Sequence, residues 1–101
     1  MMRAAVLEWL ARREPAPPET LRVRLAAYVT DREAPLPDHL ALEGGALLAS
    51  VAASSDAGRD RALDVLAADA FVTYAFEAQA EVDVTGLTAL AERLGDGGPA
   101  A

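Results

Sequence analysis

The sequence predicts an all-α protein, a small bundle or orthogonal array of four to five helices around a long central helix. Three observations predict it. Residues 56–82 hold no proline and one early glycine, and are built mostly from alanine, leucine and other residues a helix tolerates. Two proline-rich breaks, Glu14-Pro15-Ala16-Pro17-Pro18 and Ala34-Pro35-Leu36-Pro37-Asp38, divide the chain before that stretch. Between the breaks apolar residues recur at helical spacing, and short connections between helices specify antiparallel or orthogonal neighbours.

The first helix is expected over 2–13, because Met2, Val6, Trp9 and Leu10 share one face. Three prolines in four positions cannot continue it, and Pro18 suits the first position of a second helix, with Glu19 well placed against the dipole. That second helix is expected over 18–33, with Leu21, Leu25, Tyr28 and the stem of Arg32 on one face. Leu21-Arg22-Val23-Arg24-Leu25 also alternates as a half-buried strand does. A lone strand would have no partner elsewhere in the chain, so helix is preferred.

A third helix is expected over 39–53, capped by Asp38, with Leu40, Leu47 and Val51 as its seam. Gly44-Gly45 leaves two options open. Either the helix breaks there, or the missing side chains admit another backbone beside a ridge of Gly45, Ala49 and Ala53. Ser54-Ser55-Asp56 is read as a stop and restart, a serine or Asp56 capping the central helix.

Along that helix, at about 100° per residue, Leu63, Leu66 and Tyr74 point one way. Phe71 and Val82 point another, and Val65, Val72 and Phe76 a third. Apolar residues on several sides mark a buried helix, and Phe71 is expected in its core. Asp83-Val84-Thr85-Gly86 is a turn, and Leu87, Leu90, Ala91 and Leu94 form a last short helix, capped by Thr85. Residues 1–94 therefore read as a single helical domain. Gly95 reads as a C-cap, with 95–101 a disordered tail.

The chain has 101 residues, long enough for one hydrophobic core without a staple. It has no cysteine, which excludes thiolate chemistry and cysteine zinc sites and gives no reason to expect export. The run after Arg3 is interrupted by Glu8 and followed by Arg12-Arg13-Glu14-Pro15, unlike a signal peptide. The apolar stretches contain acids and fall short of a membrane span. The expected compartment is the cytoplasm, and no membrane partner is expected.

Formal net charge is −7, distributed as +1 over residues 1–34 and −8 over 35–101. An acidic chain disfavours nucleic acid, because long-range repulsion works against the encounter. All nine basic residues are arginine, and Arg22 and Arg24 are the residues through which a nucleic-acid-binding regulator would work.

His39, the single histidine, follows Asp38 and reads as an exposed first-turn residue rather than a base. No histidine-based metal motif and no glycine-rich phosphate loop occurs, so no cofactor and no metal are expected. Asp60 with Asp64, and Glu77 with Glu81, are each spaced i to i+4, close enough to grip a hard cation. Both pairs lie near ends of the central helix, where solvent is the simpler partner, and Arg61 is a ready neighbour for Asp64. Asp69 lies within the apolar run and is read as a buried polar residue, which must then pair with an arginine of the first two helices, Arg12, Arg22, Arg24 or Arg32; if exposed, it marks the one open strip of the central helix.

The share of hydrophobic residues is 52%, with five aromatics, so alanine makes much of the apolar surface. Alanine-faced helices pack closely within or between chains. The expectation is a non-catalytic helical protein acting through protein–protein contacts, as a homo-oligomer or as an adaptor. Trp9 and Tyr28 are its candidate interface anchors, with Arg22 and Arg24 as interface arginines. The alternatives are a small-ligand or metal-binding bundle using Asp60, Asp64, Asp69 or Glu77, and the nucleic-acid regulator.

Overall fold

A computed structural model describes residues 1–55 and 57–96, and is helical with no strand among them. The order is α1 (Arg3–Ala11), α2 (Glu19–Tyr28), α3 (Leu36–Ala53), α4 (Arg59–Val82), a 3₁₀ turn (Val84–Gly86) and α5 (Leu87–Asp96). The expected all-α arrangement around a long helix is what is seen. Its centre is a tightly packed pair, α3 with α4, against which the other elements lie.

The two proline breaks fall where expected. Pro35 precedes α3 and Pro37 sits in its first turn, where a missing N–H removes no helical hydrogen bond. Asp38 is therefore inside α3, three residues past the Pro35 cap, and its side chain pairs with Arg93 rather than capping. α2 stops at Tyr28, earlier than expected, because Val29 is extended and Arg3 draws the chain away. Arg3 Nη2 donates to Ala26 O at 2.8 Å and Nε to Val29 O at 3.0 Å. In return, Asp31 Oδ1 accepts from Arg3 N at 2.6 Å and caps α1 from across the fold. Residues 21–25 are helical, so their alternation is incidental.

α3 runs unbroken through Gly44-Gly45. Gly44 is the close-approach position: a Cβ there would lie 3.1 Å from Phe71 Cβ, 3.1 Å from Val72 Cγ2 and 3.2 Å from Ala68 O. Gly45 would meet nothing within 4 Å, so the ridge expected along Gly45, Ala49 and Ala53 is not the contact; the close approach is at Gly44. The facing side of α4 is Ala67, Ala68, Phe71, Ala75 and Ala78, all buried. Small side chains on both helices let the axes come together, and Phe71, fully buried, fills the space between them.

α4 begins after Gly58, whose φ of 110° favours glycine, so neither serine caps the helix. The expected contribution of Asp56 lies outside the described residues. Asp83 rather than Thr85 organises the next turn, accepting from Thr85 N at 3.0 Å and Thr85 Oγ1 at 2.7 Å. α5 continues through Gly95, which is therefore not its C-cap. Residues 97–101 of the expected tail lie outside the described residues. No helix among the described residues is long and apolar enough to cross a membrane.

Candidate functional site

The charged residues of α4 hold the first two helices in place. Arg24 on α2 spans the Asp60/Asp64 pair, with Nη1 2.7 Å from Asp64 Oδ1 and Nη2 3.3 Å from Asp60 Oδ1. Tyr28 OH donates to the same Asp64 oxygen at 2.6 Å. These bonds, that from Tyr28 first, hold the Asp64 carboxyl below the usual carboxylate range, and the bond to Asp64 together with burial pushes the Tyr28 hydroxyl up.

Arg13 does the same at the other end. Its Nη1 lies 2.8 Å from Glu81 Oε2 and 3.9 Å from Glu77 Oε1, while its guanidinium carbon stacks 3.6 Å from the centre of the Trp9 ring. Trp9 Nε1 donates to Glu81 Oε1 at 3.1 Å, and the Trp9 ring meets Tyr74 edge-on at 6.0 Å. Arg13, with help from Trp9, holds the Glu81 carboxyl below its usual range; burial, then the Glu77 charge, raises the Tyr74 hydroxyl.

These contacts correct several expectations. Trp9 is 7% exposed and its indole N–H is satisfied within the chain, so it closes the core end and is not a free anchor. Tyr28 and Arg24 are likewise spent on α4. Arg22 is exposed beside Glu19, 3.5 Å away. Each i to i+4 carboxylate pair is bridged by an arginine, so neither presents a vacant grip for a cation. No group of three or more His, Cys, Asp or Glu among the described residues is arranged to hold a metal.

The buried carboxylate is Glu43, and Asp69 is exposed. Asp69 stands on the side of α4 turned away from Phe71, where solvent solvates the charge without a partner. Glu43 on α3 accepts from Thr30 N at 2.5 Å and Thr30 Oγ1 at 3.2 Å, and Arg32 Nε donates to it at 2.8 Å. His39, one turn before Glu43, is fully buried rather than exposed. Its Nε2 lies 2.7 Å from Thr30 O, an atom that can only accept, so Nε2 carries the hydrogen. His39 Nδ1 is buried without a partner. This network fastens the α2–α3 connection to α3. The signal for it was an acid inside the apolar run 40–53, the same signal that was credited to Asp69.

What remains open is the other side of the α3–α4 pair. There α3, α4 and α5 enclose a groove of about 920 Å³, floored by Ala41, Gly44, Ala68 and Leu90. Leu42 and Leu48 stand on its α3 wall, 48% and 44% exposed; Val65 stands on its α4 wall at 44%, and Leu66 lies beyond it at 47%. Three large apolar side chains, Leu42, Leu48 and Val65, left half in water around one groove are the signature of a surface that meets another. Charges rim the groove. Asp38 pairs with Arg93 at 2.7 Å, and Arg32 with Glu43, whereas Asp69 has no partner among the described residues.

Compared with known proteins, the chain matches no family model, no curated protein and no solved structure.

Proposed function

We propose that this chain is a non-catalytic protein that works in the cytoplasm through protein–protein contacts, with the open face of α3 and α4 as the contact surface. The observation that carries the reading is that half-exposed Leu42, Leu48 and Val65 line one apolar groove. Burying such side chains is worth about 1.5–3 kcal/mol each when complete, so covering half of each is a substantial drive to associate. The rival readings draw less support. The carboxylates a ligand or metal would use are bridged by Arg24 and Arg13, leaving Asp69 alone. Of the arginines a nucleic acid would meet, Arg24 is neutralised by Asp60 and Asp64, and Arg22 stands beside Glu19.

The test is a photo-crosslinking amino acid placed in the living cell at position 48 or, as a control outside the groove, at position 22. The reading expects one discrete protein adduct from position 48, lost on Leu42→Glu, and none from position 22. No adduct, or the same adducts from both positions, would overturn it.

A further inference from the structure

We infer that the occupant of this face is a second copy of the chain, docked antiparallel along α4 about a two-fold axis passing beside Val65. The inference rests on the contact-surface reading above and names its partner. Arg61, Val65 and Asp69 follow one another at i to i+4 steps, each about 6 Å along the helix axis. All three are exposed. Arg61 and Asp69 make no hydrogen bond or ion pair among the described residues, whereas Asp60, Asp64, Asp38 and Arg93 each do. Asp64, the acid nearest to Arg61 in sequence, is already taken by Arg24 and Tyr28.

These two charges, unpaired among the described residues, are of opposite sign and lie at equal distances in sequence on either side of an exposed valine. That is the condition for self-complementarity. When two such helices run antiparallel about Val65, Arg61 of each copy faces Asp69 of the other, giving two ion pairs at once. A parallel arrangement would set Arg61 against Arg61 and Asp69 against Asp69. An isologous interface requires this mirrored pattern, and a foreign partner imposes no such symmetry on the surface it meets. Between the ion pairs, Val65 meets its own counterpart and Leu66 packs beside it, over roughly the first three turns of α4. Leu42 and Leu48 of α3 flank that line across the groove and are covered as the partner's helix approaches.

Sedimentation equilibrium on the purified full chain tests this with Arg61→Glu, Asp69→Arg and the double variant, from about 1 μM to about 1 mM. Both positions are exposed and unbonded, so the fold should survive, and circular dichroism checks that it does. The wild type is expected to dimerise. Each single swap replaces two attractions by two repulsions and should weaken the dimer about tenfold or more, and the double swap should recover most of that loss. A wild type that stays monomeric, or a double variant no better than the singles, would overturn the inference. A monomer that still crosslinks through position 48 to a different protein overturns the second copy as occupant and leaves the contact-surface reading standing. A monomer with no adduct overturns both.

Discussion

Asp64 accepts the Tyr28 hydroxyl and the Arg24 guanidinium on one oxygen, and this junction fixes how α2 lies on α4. Its carboxyl and that of Glu81 are both held below the usual carboxylate range, the first by these bonds and the second by those from Arg13 and Trp9. A carboxyl with a lower pKa in the folded than in the unfolded state contributes stability that is complete above the unfolded value and is lost as pH falls through the folded one. Urea unfolding followed from about pH 7 to about pH 2 should therefore show stability declining once the pH drops past the ordinary carboxylate range. Asp64→Asn should be less stable at neutral pH and show a shallower decline; an unchanged slope would mean that Asp64 is not held as described. At the buried network, Glu43→Ala leaves the Thr30 N–H without its acceptor and should cost about 1–3 kcal/mol for that group alone. Asp69→Ala, by contrast, should change the stability of the single chain by less than about 0.5 kcal/mol. Why Asp69 was expected inside, while Glu43 holds the buried position, is a matter of residue-level geometry. Each interrupts an apolar run, but Glu43 has Thr30 and Arg32 brought to it by a loop whose path no local pattern encodes. Asp69 is exposed and has no such partner among the described residues.

At the scale of the element, α3 and α4 are organised by what their side chains lack. The proline breaks made the helix count and order legible, and the absence of prolines from 59–82 marked the central helix. The buried side of that helix was harder to read. Large apolar residues were used to find its faces, yet the inner face is Ala67, Ala68, Ala75 and Ala78 around Phe71, because helices that approach this closely select small residues inside. Val65 and Leu66, which looked like core, consequently lie outside. Of the two adjacent glycines, only Gly44 faces Phe71. Gly44→Ala should destabilise by about 1–3 kcal/mol through overpacking, despite the gain in helix propensity. Gly45→Ala, with nothing within 4 Å, should stabilise the single chain by about 0.5–1 kcal/mol. Thermal or chemical unfolding of both variants checks the pair, and equal effects would contradict the assignment of Gly44 as the contact. Phe71→Ala should cost about 3–5 kcal/mol, a large part of the total for a domain of this size. A loss below about 1 kcal/mol would mean that the α3–α4 seam is not the core.

For the whole molecule, the division of labour follows from the two sides of α4. One side spends its charges on α1 and α2, through Arg13 and Arg24; there Trp9 is buried and the Tyr28 hydroxyl is taken by Asp64. The other, facing the groove shared with α3, keeps Val65 half in water opposite Leu42 and Leu48, and leaves Arg61 and Asp69 unpaired among the described residues. A high apolar share in a small acidic chain had suggested a contact surface, but only the packing of α3 on α4 shows which face is left over. Light scattering behind a sizing column, across a wide range of loading concentrations, tests this account most directly. The wild type should elute at twice the mass of one chain at the higher loadings, and Leu48→Glu at the mass of one chain throughout. A wild type with the mass of a single chain at every loading, or a Leu48→Glu variant that assembles as readily as the wild type, would contradict it.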